Sequence, residues 1–389
     1  MVIEPKVRGF ICTTAHPQGC KESVRRQVEA TKKAMKNVQG PKKVLVIGAS
    51  TGYGLASRIS VAFGYEAATI GVMFEKEPKE KRTASAGFYN TKAFEEFAKE
   101  DGLYAKSFNG DGFSKEMKEQ VIETIKKDWG KADMVIYSLA APRRNMEDGT
   151  TYSSVLKTIG GVFENKNVDL KTNEICSASI SAATEDEIAA TVKVMGGEDW
   201  RDWMDALLEA DALEDGAATV AYSYIGPKLT FPIYHDGTIG QAKKHLFNTA
   251  NQMTVDYAGK GIQAYVSVNK ALVTQSSSAI PVVPLYISIL YSVMKEQGVH
   301  EGCIEQMNRL FGQKMLPGSV ETDGEGYIRL DDWEMEPKVQ TEVMKRWEDI
   351  TTNNAAEISD MKGYWEDFYN MFGFHYDNVD YSEDIDLLA

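Results

Sequence analysis

The chain has 389 residues, of which 43% are hydrophobic and 26% charged, and it carries a formal net charge of −14. This is ordinary globular composition with enough apolar material for a large core, and the acidic excess argues against sequence-independent nucleic-acid binding, which depends on neutralising phosphates with Lys and Arg. The four scattered cysteines, Cys12, Cys20, Cys176 and Cys303, form no Cys-x-x-Cys pair and no disulfide framework, as expected of a reducing compartment.

The first residues, Met1-Val2-Ile3-Glu4-Pro5-Lys6, lack the apolar stretch of a signal peptide and the Arg- and Ser-rich character of a transit peptide, so a cytoplasmic protein is expected. Cys12, His16 and Cys20 have no second ligand pair at a finger-like spacing; they read as packing or surface residues, and no metal is expected.

An amphipathic helix is predicted around Lys21 to Lys36. Strand and helix signals then alternate: strand 44–48, helix from Gly52, strand 67–74, helix 91–100, strand 103–109, helix 114–128 and strand 132–139. The strands are nearly continuous apolar runs, which predicts an α/β, Rossmann-type, doubly wound parallel sheet with helices on both faces.

Within this rhythm, Val44-Leu-Val-Ile-Gly48-Ala49-Ser50-Thr51-Gly52-Tyr53-Gly54 runs from a strand through a glycine-rich turn into a helix. Such a turn seats a dinucleotide: one glycine allows the sharp bend, one lets backbone N–H groups approach the pyrophosphate, and one lets the helix pack close to the sheet. The helix N-terminus adds partial positive charge beneath the phosphates. The next strand ends in Glu75, where a carboxylate would accept the adenosine ribose hydroxyls and repel a 2′-phosphate, so NADH is the expected cofactor. Asp111 and the segment Ser138-Leu139-Ala140-Ala141 fall on the same carboxyl edge.

Between about Thr151 and Ile180 the alternation breaks, and Val162 to Leu170 predicts a hairpin with a polar tip inside an insertion spanning 151–185. Helical periodicity covers Glu185 to Leu213 with a break at Gly196-Gly197. A strand over Ala218 to Ile225, a helix from near Thr238 and a strand over Gln263 to Val268 follow. The apolar run Ala279 to Met294 is shorter than the ~20 residues of a membrane span and contains Pro281 and Pro284; it reads as a buried helix or the wall of a lipid-chain pocket. The remainder is acidic and helical in pattern, with Arg329-Leu-Asp-Asp-Trp333 as a turn. No repeat or low-complexity linker interrupts the chain, so one elaborated domain over 1–389 is expected, with 41–150 and 215–300 as its cofactor and catalytic core and 300–389 as a helical C-terminal extension.

Tyr234 and Lys243 are the candidate catalytic pair. With Thr238 capping the helix that carries Lys243, Tyr234 would lie in the preceding loop, where the ammonium would lower the phenol pKa from about 10 towards neutrality. Lys243 could also hold the nicotinamide ribose. Tyr224, at the end of its strand on the carboxyl edge, could donate a second hydrogen bond to the same substrate oxygen or could be a buried structural tyrosine.

The Gly48-to-Gly54 turn resembles that of the short-chain dehydrogenase/reductases, but their Tyr-x-x-x-Lys spacing is replaced here by Tyr-x8-Lys. With Tyr137-Ser-Leu-Ala140, Val194-Met-Gly-Gly-Glu-Asp-Trp200, Ala221-Tyr-Ser-Tyr-Ile-Gly226 and Lys270-Ala-Leu-Val-Thr274, the chain is similar to the NADH-dependent trans-2-enoyl-CoA reductases and FabV-type enoyl-ACP reductases. The resemblance runs from Arg8-Gly-Phe-Ile-Cys-Thr-Thr-Ala-His-Pro-Gln-Gly-Cys20 to Gly363-Tyr364.

It implies NADH-dependent reduction of the C2–C3 double bond of a trans-2-enoyl thioester carried by coenzyme A or acyl carrier protein. Tyr234 would be the catalytic acid, Tyr224 a substrate contact and Lys243 a ligand of the cofactor ribose. Phe74 and Glu75 would lie at the adenosine, Asp111 and Gly112 at the adenine, Leu139 and Ala140 along the cofactor, and Leu272, Val273 and Thr274 by the nicotinamide. Gly112 departs from the alanine usual after that aspartate. The family resembled acts as a monomer, which is the expectation here. The competing expectations are a 3-ketoacyl thioester reductase, against which the absent Tyr-x-x-x-Lys spacing weighs, and a non-catalytic NADH-binding regulator.

Overall fold

The structure, a computed structural model, describes residues 1–387; residues 388 and 389, the end of the expected C-terminal extension, lie outside the described residues. Its main sheet is built from β1 (Lys43–Ile47), β2 (Ala68–Met73), β3 (Ala105–Asn109), β4 (Ala132–Tyr137), β5 (Leu213–Ser223), β6 (Gln263–Val268) and β7 (Ile328–Arg329). The seven strands lie in the order β7-β6-β5-β4-β1-β2-β3, and every neighbouring pair is parallel. The order reverses between β1 and β4, which opens a crevice at their carboxyl ends where ligands of doubly wound sheets bind.

Strand alternation distributes the apolar side chains to two cores. Val44 and Val46 of β1 face one side with Met134 and Ile136 of β4, whereas Leu45 and Ile47 face the other with Val135 and Tyr137. Helices α1 (Pro17–Ala34), α2 (Gly52–Ile59) and α3 (Ala86–Glu100) cover the first side through Val24, Val28, Leu55, Ile59 and Phe94. The second is covered by α4 (Lys115–Asp128), α6 (Glu198–Glu209) and α7 (Thr238–Asp256), with Val121, Ile125, Trp200, Trp203, Leu246 and Met253 inside, while α5 (Glu185–Met195), beyond the inserted stretch, packs on α7. Burying each such large apolar side chain contributes about 1.5–3 kcal/mol. That makes both strand faces apolar and explains the continuous hydrophobic runs.

A third core lies beyond the carboxyl edge. There α8 (Val283–Glu296) is buried along its length, and the chain then passes through α9 (Cys303–Arg309) to α10 (Pro337–Asp349) and α11 (Met361–Asn370). Val339, Val343, Tyr364 and Phe368 of these last two helices pack on α8. Thus the apolar run from Ala279 is a buried helix, and the C-terminal helices enclose the end of the sheet at which the site lies. Among the described residues no helix is long and apolar enough to cross a membrane.

Several boundaries differ from expectation. Helix α3 starts at Ala86 rather than 91, because the residues from Ala86 to Asn90 pack inward against the glycine-rich turn and Glu75. Val162 to Leu170 is not itself a hairpin: Phe163–Val168 is one strand, paired antiparallel with Ile175–Ile180, and the polar turn lies at Asp169 to Glu174. Strand β5 begins at Leu213, five residues before the expected start, with a register shift before Ala218. The expected turn over Arg329 to Trp333 starts later than its first residue: Arg329 ends β7, which pairs Ser267 with Ile328 and Val268 with Arg329, and the chain turns from Asp332. A two-residue strand has no periodicity to read, so the largely helical stretch beyond residue 300 concealed the seventh strand.

Candidate active site

The cofactor half of the site begins at the β1–α2 turn. Gly48 has φ +85°, and a Cβ there would lie 2.5 Å from Ser138 O; one on Gly54 would lie 1.8 Å from Gly48 O. Only hydrogen fits at either place. Gly52, at φ +51°, is open, with only Thr274 Cγ2 within 4.0 Å of its absent Cβ. Thr51 is extended and makes no side-chain cap, so the first-turn N–H groups of α2 stand free for a phosphate. The turn therefore fits a pyrophosphate lying between α2 and the Thr274 loop.

At the end of β2, Ser50 Oγ donates to Glu75 Oε1 at 2.6 Å and Ser85 Oγ donates to the other carboxylate oxygen. Asn109 brackets the Glu75 backbone, accepting from its N–H at 2.8 Å and donating to its carbonyl at 3.0 Å. The carboxylate is thus pre-oriented beside Phe74, whose ring is 77% exposed, an unusual position for a phenyl group and one an adenine would cover. Fully buried Arg58 ties β2 to β3 beneath, donating to Thr69 Oγ1, Ser107 Oγ and the Lys106 carbonyl.

Asp111 Oδ1 accepts from the Phe113 N–H at 2.9 Å and closes the turn after β3. A Cβ on Gly112 would sit 3.7 Å from the Leu139 methyls and Val72, an ordinary contact, so glycine and alanine are equally at home there. Leu139 and Ala140 continue β4 along the crevice.

The loop after β6 faces the turn. Tyr53 O–H donates to the Lys270 carbonyl at 2.8 Å, which links the glycine-rich turn directly to this loop. Leu272 and Val273 are buried, the Val273 N–H donates to Tyr291 Oη at 3.1 Å, and Thr274 N–H donates to Ser277 Oγ at 2.9 Å.

Tyr234 ends a short helix, Phe231–Tyr234, rather than lying in a loop, and a Cβ on Gly240 would sit 2.1 Å from His235 O. The chain carrying Tyr234 therefore folds directly against the first turn of α7. Thr238 does not cap α7: the cap is Gly237, and the Thr238 hydroxyl donates to Val155 O and accepts from the Lys157 N–H at 3.2 Å.

Lys243 lies deep in the cleft yet open to it, donates to Tyr222 O at 2.8 Å, and is lowered to about 8 by desolvation. Among the described residues two of its three protons have no partner and are left for a ligand. The expected lowering of the Tyr234 pKa does not occur: burial first, and the Glu334 charge second, push the phenol above its ordinary 10. Tyr234 is a neutral donor, and its hydroxyl has no hydrogen-bond partner among the described residues.

The Tyr224 ring meets Tyr234 edge-on, with centroids 4.6 Å apart at 84°. Its single O–H proton is donated to Glu334 Oε1 at 3.0 Å, so the second substrate donor expected from Tyr224 is already engaged. Tyr286 O–H donates to the same oxygen at 2.6 Å, and the Ala271 N–H donates to Glu334 Oε2 at 2.8 Å. Buried Lys270, which donates to Ala271 O at 3.1 Å and stacks over the Tyr291 ring, is the nearby cation and is itself lowered to about 8 by burial. Sequence reasoning missed Glu334 and Tyr286. Glu334 stands in an acidic run from Asp331 to Glu336 that reads as a solvated turn, and Tyr286 in a plain apolar helix.

Three family models match the chain: the NAD(P)H binding domain of trans-2-enoyl-CoA reductase over residues 2–80, the trans-2-enoyl-CoA reductase catalytic region over 82–316, and an enoyl reductase FAD binding domain over 322–385. The last stretch does not fit a flavin nucleotide: Gly324 and Gly326 lead into β7 rather than from a strand into a helix, and α10 and α11 spend their apolar faces on α8.

An enoyl-[acyl-carrier-protein] reductase [NADH] of Cytophaga hutchinsonii is 56% identical over 387 residues, covering 99% of this chain and 98% of that protein. A trans-2-enoyl-CoA reductase [NADH] of Ruminiclostridium cellulolyticum is 53% identical over 388 residues, covering 100% and 98%. The crystal structure of the Clostridium acetobutulicum trans-2-enoyl-CoA reductase in complex with NADH superposes with a TM-score of 0.97 at 47% identity, covering 100% of this chain and 98% of that one. With its parallel sheet, its dinucleotide turn and this end-to-end similarity, the chain belongs to the NADH-dependent trans-2-enoyl-CoA and enoyl-ACP reductase family.

Proposed function

We propose that this protein reduces the C2–C3 double bond of trans-2-enoyl thioesters with NADH, with Tyr234 as the group that meets the thioester oxygen. The observation that carries this reading is the Tyr234 hydroxyl, a buried neutral donor without a partner among the described residues, on a ring set edge-on against Tyr224. When bound, NADH supplies the hydride that adds to Cβ. Tyr234 then donates to the thioester oxygen as negative charge gathers there, before Cα takes a proton. Lys243 turns its two free N–H groups to the nicotinamide ribose, Glu75 holds the adenosine ribose, and buried Leu272 and Val273 exclude water. A monomeric, cytoplasmic enzyme is part of the same proposal.

NADH oxidation with crotonyl-CoA, beside the corresponding acyl-carrier-protein thioester and acetoacetyl-CoA, tests it. Turnover of an enoyl substrate without turnover of the keto substrate is expected, and the two carriers are ranked by kcat/KM. Activity confined to acetoacetyl-CoA would make the protein a keto reductase. NADH binding without any turnover would make it a regulator.

Glu75→Ala is expected to erode the preference for NADH over NADPH by about tenfold or more, since a hydrogen bond to a charged group contributes about 1.5–3 kcal/mol and repulsion of the 2′-phosphate is lost as well. The ratio of kcat/KM values for the two cofactors measures it. An unchanged ratio would place the discrimination elsewhere.

A further inference from the structure

We propose that Glu334 is a positioning residue of the reduction, a carboxylate that staples the nicotinamide-side loop to the tyrosine pair. The proposal rests on the assignment of Tyr234 and Tyr224 made above.

Glu334 is fully buried, and its two oxygens serve opposite halves of the site. Oε2 takes the Ala271 N–H at 2.8 Å, one residue before Leu272 to Thr274, while Oε1 takes the hydroxyls of Tyr224 at 3.0 Å and Tyr286 at 2.6 Å. Three donors converge on an acceptor-only group, with the Lys270 ammonium as its counter-charge. The staple is itself anchored. Gln340 Nε2 donates to Glu334 O at 2.7 Å, and Arg309 and Gln306 hold the Leu330 carbonyl at 2.7 and 2.8 Å.

Burying a carboxylate is costly, and a well-packed apolar side chain often stabilises such a position as well or better. Here the charge accomplishes something an apolar group would not. With its proton committed to Glu334, Tyr224 cannot turn its hydroxyl towards the substrate, and its ring is held edge-on against Tyr234. Among the described residues Tyr234 has no hydrogen bond of its own to orient it, so its direction depends on that ring and on the short helix it ends. The same carboxylate sets the height of the loop over the cofactor turn, and a displacement of about 1 Å in such a frame costs about 10² in rate.

Glu334→Gln tests this, because an amide has one acceptor oxygen and cannot serve both the Ala271 N–H and the two phenols. In the full-length protein with crotonyl-CoA, kcat is expected to fall by about tenfold to a hundredfold, with KM and NADH affinity unchanged. The decisive comparison is the double-mutant cycle with Tyr224→Phe. If Glu334 acts through Tyr224, most of its effect on kcat disappears in the Tyr224→Phe background. An equal loss in both backgrounds would overturn the proposal, as would a loss expressed only as a lower Tm or a higher KM. If Glu334→Gln does not fold, Glu334→Asp, which keeps the charge and both acceptors on a shorter stem, goes through the same cycle with the same two readings. Near-normal turnover by Tyr234→Phe would bring down the site assignment together with this proposal. A disabled Tyr234→Phe beside an additive cycle would bring down this proposal alone.

Discussion

Replacing Tyr234 by Phe is expected to lower kcat with crotonyl-CoA by about 10²–10³, the usual cost of removing one donor aimed at a developing oxyanion, while NADH binds as before. The substitution deletes one oxygen and leaves the ring against Tyr224, so the edge-on packing at 4.6 Å survives. Because the hydroxyl has no partner among the described residues, its loss strands no buried donor or acceptor, and Tm should hold or rise. Burial keeps the phenol protonated well past neutrality, so no kinetic pKa near neutrality should belong to it. Steady-state rates, NADH fluorescence titration and a thermal melt together measure the three claims. Near-normal turnover would remove Tyr234 from the chemistry.

The second large effect is expected at Lys243. Lys243→Met keeps the length and apolar bulk of the side chain but removes the charge and the two free N–H donors, and kcat/KM should fall by about 10² through misplacement of the nicotinamide. The wild-type enzyme carries a related pH signature. Burial lowers the Lys243 ammonium to about 8 from 10.5, so it is charged below that pH and neutral above it. The activity that needs the cation is thus complete on the acid side and lost as pH rises through 8, giving kcat/KM an alkaline limb. Lys270 is lowered to about the same value, so the limb needs assigning. Lys243→Arg, whose guanidinium stays charged, should move the limb upward if Lys243 owns it; a limb unchanged in that variant would belong to Lys270.

The cofactor half of the site was largely legible in the sequence. Gly48 to Gly54 is contiguous, and each glycine answers a steric demand made within a few residues or by the adjoining strand. Glu75 follows directly from the end of β2. The tyrosine half was legible as a list of residues and much less so as chemistry. Thr238 had the residue type of a cap but spends its hydroxyl on Val155 and Lys157, because the chain arriving from the inserted stretch offers it a carbonyl and an N–H. Lys243 was expected to act on the Tyr234 phenol, yet it donates to the Tyr222 carbonyl, and the phenol responds to desolvation instead.

The amino-acid sequence alone determined the alternation of strands and helices, the parallel sheet, the dinucleotide turn and the preference for NADH. These follow from side-chain periods of 2 and 3.6 residues and from backbone demands that neighbouring residues settle among themselves. Tertiary structure alone decided the seventh strand, the commitment of the Tyr224 proton and the staple at Glu334. Tyr224 and Glu334 are 110 positions apart, and Ala271 and Glu334 are 63 apart. No local pattern marks a carboxylate whose partners come from three other parts of the chain. It becomes a site only when β7 adds to the sheet and carries the acidic run to the edge where the glycine turn, the Thr274 loop and the two tyrosines already converge.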